Sequence, residues 1–129
     1  MVARYRGYIR AVEEAGAERV VVVKGVDLLD SRHEVTGVYC ALSYDGPDLL
    51  CECIDRGMRV PDDLSIVGQD DAREKQIVRP ALTTVNMRSK EMGKMAAQTV
   101  ISKIEGKNAD NVMLEPELVL RESTGEPGR

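Results

Sequence analysis

The stretch DLSIVGQDD (residues 63–71) decides how this chain is read. A mostly apolar segment, 64–67, runs into Gly68, and after Gln69 two carboxylates, Asp70 and Asp71, stand side by side. A short, mostly apolar run bounded by turn residues reads as a buried strand. The acids at its end are compatible with a metal site, a catalytic pair, a hydrogen-bonding post for a polar ligand, or solvated turn chemistry.

The flanks extend the α/β pattern. Upstream, residues 3–15 read as a helix, with Tyr5, Tyr8, Ile9 and Val12 at three- and four-residue spacing and Gly16 as its stop. The β-branched run RVVVV (19–23) reads as a strand, and VTGVYCAL (35–42) as a second. SYDG carries turn chemistry, Pro47 suits the first turn of a helix to about Arg56, and Gly57 ends it. Strand 64–68 follows. Downstream, ALTTV (81–85) is extended, and residues 89–105 form the clearest helix, with Ser89 as a candidate N-cap and Gly106 as its stop. Segment 112–123 is extended but broken by Pro116, which suits an edge or a crossing segment. The order implies an α/β domain with a parallel sheet.

Composition narrows function. The 129 residues suffice for one domain. A net charge of −4 without a Lys/Arg cluster argues against direct nucleic-acid binding. No apolar run reaches the ~20 residues of a membrane span, and the N-terminus lacks a secretion signal, so a cytoplasmic protein is expected. Cys40, Cys51 and Cys53 are an odd set suited to a reducing compartment. With His33 they match no common zinc spacing, so no metal is expected. No nucleophile elbow, phosphate-binding loop or zincin helix is present, which points away from an enzyme and from a cofactor.

Four motifs occur in one order: RYRGYIRAVEEAG at the start, GMRVPDDLSIVGQDD in the middle, PALTTV with EMGKMAA later, and PELVLREST near the end. This series resembles the effector-sensing domain of the lactose/galactose repressor (LacI/GalR) family of transcription regulators, over about residues 3–124. The resemblance implies a type I periplasmic-binding-protein fold, a parallel-sheet α/β sandwich, here mainly its C-terminal subdomain. That subdomain would occupy about 3–80, with a crossing segment and helix at 81–106 and returning strands at 112–124. It also implies a small-molecule effector, a sugar or related metabolite, in a cleft between subdomains. By motif, Arg4 before Gly7 and Asp70 after V-G-Q are its expected contacts. Without the resemblance, Arg4 reads as a surface charge and Asp70 as a turn residue.

The chain also departs from the family. Its length leaves no room for an N-terminal helix-turn-helix and a first sensor subdomain, so direct DNA binding by this chain is not expected. The connection 26–34 is short for a parallel crossover, which implies a short helical turn at 27–31 or a changed strand order. The family acid fourteen residues before Gly57 falls on Ser43 here, and the nearest acid is Asp45. Gln69 stands where an aromatic is common. With no Trp or Phe, Tyr44 is the best-placed ring for stacking, or else a surface aromatic. The expected ligand set is therefore Asp70, Arg4, Tyr44, Asp45 and Gln69. The apolar stripe of helix 89–105 has lost its partner, and a homodimer is expected. The alternative function is a dimerising interaction module that no longer binds a ligand.

Overall fold

The computed structural model describes residues 2–17, 29, 35–71 and 77–126. The expected strand at 19–23, the connection 26–34 with its helical turn, and His33 lie outside the described residues, apart from Leu29. Among the described residues the elements follow in order: α1 (Val2–Glu14), β1 (Gly37–Tyr39), α2 (Asp45–Asp55), β2 (Ser65–Gln69), β3 (Thr83–Asn86), α3 (Ser89–Ile104) and β4 (Glu117–Val119). The described sheet has the order β1-β2-β3-β4, with β1, β2 and β3 parallel and β4 antiparallel on β3. The expected α/β class holds, and the segment after Pro116 is an edge strand shorter than the extended run 112–123.

The core lies between α2 and the sheet. Leu49, Leu50 and Cys53 fall on one side of α2, and Leu64 and Ile66 alternate with partly exposed Ser65 and Val67 along β2. Leu82, entering β3, is fully buried against them, and Val38, Met58 and Val78 pack around the cluster. Each buried leucine or isoleucine contributes about 1.5–3 kcal/mol through apolar burial. Helix and sheet come very close at one point. A Cβ on Gly46 would lie 2.9 Å from Leu82 Cδ2 and 3.3 Å from the Gly68 Cα. Two glycines thus let the start of α2 rest on the end of β2, which sets the loop between β1 and α2 beside the end of β2.

Helix ends follow local chemistry. At the end of α2, the Gly57 N–H bonds the Ile54 carbonyl and the Met58 N–H bonds that of Cys53, both at 2.9 Å. This paired closure requires a left-handed residue, and Gly57 has φ 72°. Gly16 and Gly106 end α1 and α3 in the same way. The start of α3 differs from expectation. Arg88, with φ 54°, is the N-cap, and Ser89 is the first helical residue. The Asn86 side-chain oxygen accepts the Arg88 N–H at 2.8 Å, so the turn is organised two residues upstream of the cap. Pro47 falls two residues inside α2, still within the first turn, where N–H groups have no intrahelical partner.

The motif ending in REST has a role not read from sequence. Ser123, fully buried, donates to the Ile66 carbonyl at 2.6 Å and accepts the Thr83 N–H at 2.8 Å. The backbone of Ser123 also bonds Ile66 and Ala81. The segment 121–124 therefore stitches the start of β2 to the start of β3. Helix α3 buries none of its side chains: Met92, Val100, Ile101 and Ile104 are all more than half exposed, as are Leu118 and Leu120 of the β4 segment.

Candidate functional site

The site forms where parallel strands end. Because β1 and β2 run side by side in one direction, their last residues, Tyr39 and Gln69, reach the same edge of the sheet. Ligands of open α/β sheets bind beyond this carboxyl edge. The Tyr39 hydroxyl donates to Gln69 Oε1 at 2.5 Å, and Gln69 is 1 % exposed. Gln69 Nε2 faces Asp70 Oδ1 at 3.5 Å, a long contact. Asp70 has φ 62°, and its N–H bonds the Val85 carbonyl of β3 at 2.9 Å. Its left-handed backbone breaks the alternation of the strand, so its side chain follows the turn and not the sheet.

Arg4, on the first turn of α1, donates from Nη1 to the Ala41 carbonyl at 2.9 Å, in the loop after β1. Its charge acts on Tyr39, as does that of Asp70. Burial is the main cause that pushes the Tyr39 phenol above its ordinary value, and the neighbouring Asp70 and Cys40 add to it while Arg4 opposes it. Gln69 and Asp70, both named from sequence, are linked to Tyr39, and Arg4 lies near enough for its charge to act on that phenol. Sequence reasoning missed Tyr39 and favoured Tyr44. The available signal was position, since Tyr39 ends the strand expected to lie beside β2. Tyr44 is the N-cap of α2 and 63 % exposed, and Asp45 is the first residue of that helix.

The two acids of the opening stretch separate in role. Asp71 pairs with Arg121 at 2.7 Å, with the two side chains 17 % and 13 % exposed for Arg121 and Asp71. It also accepts the Thr84 hydroxyl at 3.0 Å. Asp71 is thus committed to joining the end of β2 to the β4 segment. Asp70 also borders a groove of about 890 Å³ whose other walls include Asn86, Arg88, Lys90, Lys94 and Glu117. Asp70 and Asp71 are the residues through which that groove meets the end of β2. Among the described residues no cluster of ligating side chains could hold a metal ion.

Comparison with known proteins identifies the scaffold. Residues 1–124 match the periplasmic binding protein-like domain family. The chain belongs to that family. A relative, the HTH-type transcriptional repressor PurR of Serratia proteamaculans (strain 568), is 28 % identical over 138 aligned positions, covering 95 % of this chain and 40 % of that protein. Among solved structures, a complex of the transcriptional regulator CelR with cellobiose is 31 % identical with a TM-score of 0.79, covering 95 % of this chain and 42 % of that one. A LacI family regulator from Bifidobacterium animalis subsp. lactis DSM 10140 shares the fold with a TM-score of 0.86 at 23 % identity, over 99 % of this chain and 51 % of that one. The chain is an effector-binding domain of the LacI/GalR kind, and it spans about 40 % of the length of the PurR relatives it matches.

Within this periplasmic binding protein-like domain the chemistry of the edge is polar and directional. A carboxylate accepts hydroxyl hydrogen bonds, a guanidinium donates in a planar fork, and an amide does both. Asp70 supplies the acceptor at this edge, backed by the Gln69 amide, and Arg4 supplies a guanidinium on the loop after β1.

Proposed function

We propose that this chain is the ligand-sensing part of a LacI-type transcription regulator and takes a small polyhydroxylated metabolite, a sugar or related polyol, at the carboxyl edge of β1 and β2. The observation that carries this reading is the Tyr39–Gln69–Asp70 chain of contacts at that edge, with Arg4 bound to the loop after β1 and its charge acting on Tyr39. The cellobiose held by a regulator 31 % identical to this chain supports the ligand class. Asp70 accepts ligand hydroxyls and Arg4 donates, buried Gln69 backs Asp70 from within the sheet, and Tyr44 and Asp45 at the start of α2 are the further candidate contacts. In the whole regulator, a ligand that binds one conformation better than another shifts the balance between them, without chemistry on the ligand.

The test is calorimetric titration of the chain with a panel of sugars, sugar phosphates and purines, repeated on Asp70→Ala. A sugar should bind the parent, and loss of a charged hydrogen-bond acceptor should weaken it by about 10-fold or more. A folded parent that stays silent across the panel removes this reading.

Self-association is a second reading favoured by the exposed apolar side chains of α3 and by Leu118 and Leu120 on the edge segment. An open edge strand with exposed leucines invites pairing. We propose a homodimer compatible with ligand binding, and a monomeric sedimentation coefficient across a wide concentration range would refute it.

A further inference from the structure

We infer that Tyr39 is a positioning residue of this site, holding the Gln69 amide in the one orientation that presents its N–H₂ group to Asp70. The inference deepens the ligand-binding reading above and rests on it.

The polarity of the chain of contacts follows from Asp70. An ionised carboxylate only accepts hydrogen bonds, so the side of the Gln69 amide facing Asp70 must be its N–H₂. The amide oxygen then faces Tyr39, whose O–H donates to it. Gln69 is almost wholly buried, so solvent cannot supply a substitute donor at low cost. Without the hydroxyl, the amide either leaves its buried oxygen without the tyrosine donor or rotates by half a turn. The rotated state brings oxygen against the Asp70 carboxylate, which repels it. Both outcomes loosen the donor and acceptor that a ligand would meet. Asp70 is sensitive to this because its left-handed backbone takes it out of the strand's alternation.

The position of Tyr39 makes the link possible. It ends β1, with Val67 as its register partner, and reaches two residues along β2 to Gln69. A phenol spans that gap from the neighbouring strand, while a shorter hydroxyl side chain at 39 would fall short.

The test compares the full chain with Tyr39→Phe, which removes one oxygen and keeps the ring. In two-dimensional NMR, the Gln69 side-chain amide pair, assigned through its disappearance in Gln69→Leu, should shift in Tyr39→Phe. Its hydrogen exchange should speed up about 5- to 10-fold, the equivalent of one hydrogen bond. Affinity for cellobiose, the probe, should fall by a similar ~5- to 10-fold, with little further loss when Tyr39→Phe is added to Asp70→Asn. An unmoved Gln69 amide in a folded Tyr39→Phe protein overturns the inference, as does full additivity with Asp70→Asn. If the parent does not bind cellobiose, the ligand reading loses that sugar, and the Gln69 amide alone decides the role of Tyr39.

Discussion

Replacing Arg121 by methionine is the sharpest probe of what holds the carboxyl edge together. Its guanidinium pairs with Asp71 at 2.7 Å, donates to the Leu82 carbonyl at 2.8 Å and reaches Thr84 Oγ1 at 3.2 Å. Both partners of the pair are less than one-fifth exposed, so water compensates only partly for a lost partner. Removing one member of a buried ion pair costs about 3–5 kcal/mol, and partial exposure places this case near about 3 kcal/mol. Domains of this size are stable by only about 5–15 kcal/mol, so the loss is a large fraction of the whole. Asp71→Asn keeps an oxygen for Thr84 and should cost less, about 1.5–3 kcal/mol, the value of a charge-assisted hydrogen bond. The double variant should cost less than the sum of the two, by about 0.5–3 kcal/mol, because the second change no longer strands a charge. Urea unfolding followed by circular dichroism measures all three. With slopes of about 1–3 kcal/mol per molar, Arg121→Met should lower the midpoint by roughly 1–3 M. A shift below about 1 kcal/mol, or strict additivity, would show that the pair is no more than a surface contact.

Two further outcomes follow from titration and thiol chemistry. Burial, with Asp70 and Cys40 beside it, holds the Tyr39 phenol above 10.0 in the folded protein, so the neutral form is favoured there. Its contribution to stability is complete below the unfolded value and is lost as pH rises through the raised one. The phenolate absorbance that disappears in Tyr39→Phe should therefore titrate above 10.0, and a component titrating below that value contradicts the buried Tyr39–Gln69 contact. Cys51 is exposed, while Cys40 and Cys53 are buried and burial pushes the Cys53 thiol up. A thiol reagent should label one cysteine rapidly in the native chain and all three after unfolding. Rapid native labelling of all three would contradict the packing of α2 on β2.

Much of the architecture was legible because it depends on neighbours along the chain. The stops at Gly16, Gly57 and Gly106 were readable since a left-handed closing residue is a local requirement. The span 64–68 was readable as a strand from its apolar run alone, and Pro116 pointed to an edge or a crossing segment because it lacks a donor for a ladder. The start of α3 was misread, because Arg88 and Asn86 cap it through a turn that propensity does not encode.

Sequence by itself determined the family, and its motifs marked Arg4 and Asp70 as the expected contacts. Motif position already distinguished Asp70 from Asp71, but only tertiary structure showed the physical difference between them. A left-handed turn at Asp70 and an arginine fifty residues beyond Asp71 give the two adjacent carboxylates different surroundings. Tertiary structure likewise brought Tyr39 to Gln69, thirty residues apart, because parallel pairing of β1 and β2 delivers both ends to one edge. Contacts between strands follow from register, and register is decided by which faces are buried together, a property of the packed sheet and not of either segment alone.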